Sequence, residues 1–368
     1  MRRALSVLIL VLGFLPCASC VKVETDIKWA RWKEDMADVV RGRDRGYLGY
    51  REMIEKATVK GPSSPRYQYI APEWVSNYLV TRAVRGLGGT KWPNADYAAG
   101  SVDRLLYVLN YDPTGVVRAA ACSQLGRIAR RLGVPATDPY PYLGQSDEKI
   151  REIADDLFDL KKRLDKKERI KASLVVELVD ELETLYPTRF LMALQLMRAC
   201  ASPPVALAPP GPLRETVERA IPKICRRSIS ISLAEAACGS IHHTKARPDE
   251  SDDVRSRALE VLTALNDPVA HEPAVARLWD ELDPAERDAG VRMRLLEYIG
   301  NHGSARAFEA AVRRLDNDLP SVRFAAQAAL LHMTATRVEA KPQAWRKWRE
   351  QHPDWQQTLG APAAASGG

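Results

Sequence analysis

Apolar residues recur every three or four positions along much of the chain, which is the spacing of an amphipathic α-helix. One helical face is formed by Ile150, Ile153, Leu157, Leu160 and Leu164. A second is formed by Ile170, Leu174, Leu178, Leu182 and Leu185. A break at residues 165–168 would fold these two helices into an antiparallel pair, and Pro187 ends the second.

Strand signals are weak, since strict alternation is confined to Ile229–Leu233. The pattern predicts an all-α protein.

A short motif repeats within this helical pattern. In order, it consists of an aliphatic residue, an Arg, any two residues, a small or apolar residue, any three residues and another apolar residue. The copies start at Val117, Ile150, Val254, Val291 and Val322. Their arginines are Arg118, Arg151, Arg255, Arg292 and Arg323. The interval between Ile150 and Val254 spans about three repeat periods, and Leu213–Ile221 fits one degenerate copy inside it.

These units resemble HEAT repeats, in which two helices flank a turn and the second helix opens with Val-Arg. The best matches are residues 105–129 and 308–333. Asp112-Pro113 and Asp318–Ser321 suit the turns, because Asp and Pro favour helix starts. The resemblance implies a right-handed α-solenoid of antiparallel helix pairs. It also implies a structural role for the five arginines, each pairing with an acidic residue of an adjacent turn to form a ladder.

The motifs divide the chain into five segments. Residues 1–19 form a signal peptide, and residues 20–70 a lipid tether with an N-terminal capping region. Residues 71–335 contain the HEAT-like repeats, with an irregular insert at 187–250. A Trp-rich cap at 336–358 precedes a flexible tail at 359–368. The cap residues Trp345, Trp348 and Trp355 are expected to cover the apolar end of the last repeat, with an aromatic platform for a sugar as the alternative.

The N-terminus has the order of an export signal. Arg2 and Arg3 precede the apolar stretch Ala4–Leu15, which ends in Ala18-Ser19-Cys20. This ending resembles a bacterial lipoprotein signal, although Cys17 stands where that pattern usually has Leu. The resemblance implies cleavage before Cys20 and lipid attachment to Cys20. It predicts an exported protein, lipid-anchored at the periplasmic or outer-membrane face of the cell envelope. An ordinary secretion signal and an uncleaved anchor are the alternatives.

Composition narrows the class of protein. Hydrophobic residues make up 46% of the chain, which excludes wholesale disorder. The 54 basic residues exceed the 47 acidic ones by a small margin, which is a weak argument for nucleic-acid binding, and the predicted export weakens it further. The basic run at 161–171 suits either a solvated turn or contact with anionic lipid headgroups.

No residues are assigned to catalysis, to a cofactor or to a metal. Cys225, Cys238, His242 and His243 could suggest zinc, but their spacing lacks a Cys-x2-Cys pair. Cys122 is expected to be a buried thiol. A disulfide among Cys200, Cys225 and Cys238 stays open beside the alternative of free thiols.

The sequence therefore predicts a monomeric scaffold that is tethered to a membrane and holds protein partners at the cell envelope without catalysis. A solenoid offers a long surface, and specific protein interfaces need one. Three alternatives remain, one of which is a nucleic-acid binder and requires that the N-terminus is not an export signal. Another is a HEAT-like enzyme or enzyme subunit, similar to the bilin lyases. The third is a module that binds carbohydrate or another envelope component.

Overall fold

The computed structural model describes residue 50 and residues 73–89, 95–135, 210–239, 248–279, 286–316 and 319–355. These ranges contain ten α-helices, one short 3-10 turn and no strand, so the described part of the chain is helical, in agreement with the prediction of an all-α protein. Several predictions fall outside the described residues: the signal peptide, Cys20, nearly all of the tether, the helix pair at 150–185 with Arg151, Cys200 and the tail.

The helices are numbered in chain order. They are α1 (Glu73–Gly89), α2 (Ala95–Tyr111), α3 (Gly115–Leu132), α4 (Pro210–Cys238), α5 (Asp252–Ala264), α6 (His271–Leu278), α7 (Ala289–His302), α8 (Ala305–Arg314), α9 (Pro320–Thr334) and α10 (Pro342–Gln351). The 3-10 turn at Pro268–Ala270 leads into α6.

The helices contact one another in two rows. Helices α3, α5, α7 and α9, which begin with the Val-Arg motif, contact each other in that order and are called the Val-Arg row. Helices α2, α4, α6, α8 and α10 contact each other in the same way and are called the second row. Helix α1 packs against α3. The motif valines, Val117, Val254, Val291 and Val322, are fully buried, so the repeat marks the core side of each helix in the Val-Arg row.

Two helices of the Val-Arg row approach their neighbours through a glycine. A Cβ at Gly126 of α3 would lie 2.4 Å from a methyl carbon of Val261 in α5, and one at Gly300 of α7 would lie 3.1 Å from the Cα of Ala329 in α9. Both glycines stand nine residues after the motif valine. This position therefore marks the side of the helix that faces the next helix of the row.

The segment before α5 differs from its prediction. Helices α3 and α5 are in direct contact, although α3 ends at Leu132 and α5 begins at Asp252. Residues 210–238, predicted as part of an irregular insert, form the 29-residue helix α4. The stretch Leu213–Ile221, predicted as a degenerate Val-Arg helix, lies in α4 and therefore in the second row.

Burial explains why residues 224–234 of α4 show no amphipathic pattern. Nearly every residue from Ile224 to Ala234 is buried, including Arg226, Ser228, Ser230 and Ser232. A helix that is buried on all sides loses the polar stripe that makes its period visible. The charged residue is compensated, because Arg226 Nη1 lies 2.7 Å from the carboxylate of Asp267, which also accepts from the Ser230 hydroxyl.

The C-terminal tryptophans form one buried cluster. Trp345, Trp348 and Trp355 are at most 9% exposed and surround Phe308 of α8, with ring centroids 6.0, 6.1 and 5.0 Å from its ring. Trp345 Nε1 donates to Gln327 Oε1 of α9 at 2.9 Å. The indoles therefore cover the end of the second row. Their burial gives no support to the alternative of an exposed platform for a sugar.

Candidate functional site

The turn that precedes α3 is joined to the turn that precedes α5 through Arg118. Its Nε and Nη2 atoms donate to the two carboxylate oxygens of Asp249, both at 2.8 Å. Its Nη1 donates to the carbonyl oxygen of Asp112 at 2.6 Å. Two parallel hydrogen bonds between a guanidinium and a carboxylate fix geometry as well as adding energy. The ion pair therefore sets the register of α3 against α5.

Arg255 repeats this arrangement one helix further along the row. Its Nε and Nη2 donate to the carboxylate of Glu286 at 2.8 and 3.1 Å. Its Nη1 donates to the carbonyl oxygen of Asp249 at 2.7 Å. Asp249 thus accepts from Arg118 through its carboxylate and from Arg255 through its carbonyl.

A single rule covers these contacts. Each arginine donates to the carbonyl of the residue six positions before it, and the third case is Arg292, whose Nε donates to the Glu286 carbonyl at 2.7 Å. We call the resulting series the turn ladder. It runs through Asp112, Arg118, Asp249, Arg255, Glu286 and Arg292. The acids of the ladder were not individually predicted, although an acid six residues before the arginine was the available signal.

Burial and charge act in opposite directions on the ladder arginines. Burial lowers the pKa of Arg118, but the hydrogen bond and the charge of Asp249 outweigh that effect, so the pKa lies above its ordinary value. The same balance between burial and Glu286 raises the pKa of Arg255. Both guanidinium groups therefore stay charged throughout the working range of pH.

The last predicted ladder arginine lies in a different environment. Arg323 begins α9 and is exposed, whereas Arg118 and Arg255 are buried. In the sequence, the residue six positions before Arg323 is Asn317 instead of an acid. Arg323 therefore does not repeat the buried surroundings of Arg118 and Arg255.

The turns enclose an open cleft of about 1130 Å³. Ladder residues line it, together with the rim residues Tyr111, Glu250, Asp252, Arg287 and Asp288. Most of the buried charged groups that line the cleft form ion pairs with one another, as Arg118 does with Asp249 and Arg255 with Glu286. The chemistry that it offers to solvent is therefore that of the rim, where Glu250 and Asp252 are exposed.

The second row has its own recurring arginine contact. Arg277, near the end of α6, donates from Nε to the carbonyl oxygen of Cys238, the last residue of α4, at 2.9 Å. Arg314, at the end of α8, donates to the carbonyl oxygen of Leu278, the last residue of α6. Carbonyls at a helix C-terminus lack intrahelical partners and carry partial negative charge. Each arginine therefore caps the preceding helix of its row.

The thiols of the described residues belong to the core. Cys122, Cys225 and Cys238 are buried, and burial raises the pKa of Cys122 and of Cys238 to about 12. Cys200, His242 and His243 lie outside the described residues. Within the described ranges, no group of three or more His, Cys, Asp or Glu residues is arranged to hold a metal ion.

Among the side chains that the structure describes, five large apolar ones are exposed. They are Tyr111 and Val116 at the turn between α2 and α3, Leu319 just before α9, and Phe324 and Leu331 on α9. Phe324 is the most exposed of them at 78%, although it lies inside a described helix. An aromatic side chain that contributes little to the core is a candidate for contact with another molecule.

Comparison with known proteins places the chain in no established group: no family model, no curated protein and no solved structure matches it. None of the described helices is both long enough and apolar enough to cross a bilayer. The function must therefore be inferred from the residues themselves.

Proposed function

We propose that this protein is a HEAT-like, right-handed α-solenoid that acts as a scaffold for protein partners. The two rows of helices and the turn ladder support this reading, because neighbouring helices of each row pack together and the α3–α5 and α5–α7 junctions are tied at equivalent points. The single observation that carries the binding function is the exposed Phe324 on the uncovered side of the Val-Arg row.

The outer surface of that row has the mixed chemistry of a protein-binding face. Arg257 and Glu260 of α5 form an exposed ion pair at 2.8 Å, and Arg294 and Glu297 of α7 form an equivalent one at 2.7 Å. In the same row, α9 exposes Phe324 and Leu331. Specific interfaces combine apolar anchors with a polar rim over about 1,200–2,000 Å², and a row of four helices offers a surface on that scale.

The proposal includes attachment to the cell envelope through lipid on Cys20. It rests on the order of the leader, in which two arginines and an apolar stretch precede Ala18-Ser19-Cys20. The intact mass of the detergent-extracted protein tests it. A mature chain that begins at Cys20 and carries added lipid mass supports the anchor, and an unmodified or different N-terminus overturns it.

A matched pair of charge reversals tests the scaffold function. Arg257 and Arg306 are both 45% exposed and both form ion pairs with a glutamate, but Arg257 lies on the Val-Arg row and Arg306 on the second row. We expect Arg257→Glu to reduce the yield of proteins crosslinked to the mature chain in envelope preparations, and Arg306→Glu to leave that yield unchanged. Thermal melts of both variants exclude unfolding as the cause.

Two results contradict the scaffold. In the first, both reversals change the crosslinked set equally, which removes any special role of the Val-Arg row. In the second, the purified chain converts a small substrate and the Arg257→Glu variant does not, which favours the enzyme alternative.

A further inference from the structure

The C-terminal ends of α1 and α3 lie side by side and expose several arginines. Arg131 Nη1, in the last turn of α3, donates to the carbonyl oxygen of Gly88 in α1 at 3.2 Å. A Cβ at Gly89, the last residue of α1, would lie 3.5 Å from Nη1 of Arg127 in α3. We call the exposed arginines of these two helix ends the basic end patch, which consists of Arg85, Arg127 and Arg130.

The basic end patch has no acidic counterpart on its own helices. Helix α3 contains no Asp or Glu, and the acidic residue of α1 is Glu73, at the opposite end of that helix from Gly89. Arg85 stands about one turn before Gly89. Within the part of the chain that the structure describes, none of the three patch arginines forms an ion pair. Their charges are therefore available to another molecule.

The spacing of the patch arginines on α3 is unfavourable for the helix itself. In α5, Arg257 is followed three residues later by Glu260 and pairs with it at 2.8 Å, and α7 has an equivalent pair. In α3, Arg127 is followed three residues later by Arg130. Side chains three apart are neighbours on a helix, and like charges there destabilise it. An anion from outside the chain would relieve this repulsion.

Charges on neighbouring elements do not cancel the patch. The ion pair of Arg118 with Asp249 lies at the other end of α3, and Arg127 is about 14 Å further along the helix. That separation exceeds the screening length of about 8 Å at physiological ionic strength. On α5, which packs against α3, Glu260 is already paired with Arg257. The surface at the patch therefore stays positive.

We propose that the basic end patch binds the anionic phospholipid headgroups of the membrane to which the chain is anchored. This inference rests on the proposed attachment through Cys20 and adds a second contact with the same membrane. Helix α1 is the first of the described helices, so the patch belongs to the end of the fold that follows the tether. Guanidinium groups match phosphate oxygens, and each basic residue near an anionic membrane raises affinity about five-fold.

The chemistry of the patch favours a lipid surface over a protein partner. Specific protein interfaces combine a polar rim with apolar anchors. The large apolar side chains that the structure describes as exposed lie at the turn between α2 and α3 and at the start and along the length of α9, away from the patch. A layer of headgroups requires only charge. A lipid on Cys20 would also keep the patch close to the membrane and raise its effective concentration there.

Vesicle binding of the chain without its lipid tests the patch separately from the anchor. The mature chain that begins at residue 20 is prepared with Cys20→Ser and sedimented with phosphatidylcholine vesicles, with or without about 30% phosphatidylglycerol. We expect binding to the anionic vesicles, and weaker binding when the salt is raised from about 0.1 M to about 0.5 M. Replacing all three patch arginines by Gln should lower the partition coefficient about 100-fold.

A matched variant controls for total charge. Arg337→Gln, Arg346→Gln and Lys347→Gln together remove the same three charges at exposed positions that form no ion pair within the described part of the chain. This triple variant should lower the partition coefficient by about two-fold at most. Neither triple variant should lower the melting temperature, because the side chains are exposed and the patch variant also removes a like-charge pair.

Three outcomes overturn the inference. The first is equal binding to neutral and anionic vesicles, and the second is an equal loss of affinity in the two triple variants. In the third, the patch variant binds vesicles normally but captures fewer proteins by crosslinking, so that the ligand is an acidic protein.

The proposed function fails by different results. A chain that carries lipid on Cys20, but whose unlipidated form ignores anionic vesicles, keeps the anchor and loses only this inference. A chain without lipid on Cys20 that still binds anionic vesicles through the patch loses the anchor and keeps the lipid-binding surface.

Discussion

The junction between α5 and α7 and the end of the row at α9 contain the same motif in opposite surroundings. At the junction, Arg255 is buried and bonds to Glu286, an acid of the turn that precedes α7. At the end, Arg323 is exposed beside an exposed Phe324. The difference teaches that the motif fixes only half of each contact. The other half comes from the neighbouring helix, and α9 is the last helix of its row among the described residues.

The two rows also end differently. The second row ends in α10, whose tryptophans cover Phe308. The Val-Arg row ends in an apolar face that stays exposed on α9. Stacked repeats need protected ends for solubility, and among the described residues only the second row ends in such a cap.

The largest expected effect is the loss of stability that follows when an arginine of the turn ladder is removed. Arg255→Ala should lower the free energy of unfolding by about 3–5 kcal/mol, because it leaves the buried carboxylate of Glu286 without its guanidinium. Arg323→Ala, at the same motif position, should change it by less than about 0.5 kcal/mol, because the side chain is exposed. Urea melts measure both. Equal losses would show that the two sites do not differ as their burial indicates.

A smaller loss is expected at the capped end. Trp345→Phe should destabilise the protein by about 1–3 kcal/mol, because it removes ring volume from a fully buried site and the hydrogen bond to Gln327. Lys347→Phe introduces the same residue at an exposed position of the same helix and serves as the control. A Trp345→Phe melt that matches the native protein would mean that the cluster does not stabilise the C-terminal end.

A stabilising change is expected at the start of α9. This helix begins after Leu319, which makes no side-chain cap, whereas Ser304 caps α8 by accepting from the Ala307 amide at 3.0 Å. Leu319→Ser should raise the free energy of unfolding by about 0.5–1 kcal/mol, and Ser304→Ala should lower it by about 1 kcal/mol. Thermal melts of the two variants should therefore shift in opposite directions, and shifts of the same sign would refute the assignment of these caps.

The smallest effect concerns chemical reactivity. Burial raises the pKa of Cys122 and Cys238 to about 12, so at pH 8 both are neutral thiols shielded from solvent. Iodoacetamide should leave both unmodified in the folded protein and alkylate both in urea, as read by peptide mass spectrometry. Rapid alkylation of Cys122 without denaturant would show that the junction of α3 opens readily.

Local features of the sequence determined the helices and the side that each one buries. The motif valines predicted the core positions Val117, Val254, Val291 and Val322, because helical spacing alone selects a face. Large indoles near a repeat end predicted burial at Trp345 and Trp348, since aromatic surface of that size is costly to expose. These inferences need only residues that lie within a few turns of one another.

Only the tertiary structure decided which units are neighbours. Helices α3 and α5 are far apart in the chain yet pack together, and this contact gives Arg118 its partner Asp249. The stretch of α4 from Ile224 to Ala234 escaped prediction because nearly all of its residues are buried and it has no polar stripe. The exposure of Arg323 likewise depends on the surroundings of α9 in space. Periodicity records how a helix faces its core, but it does not specify which helix packs beside it.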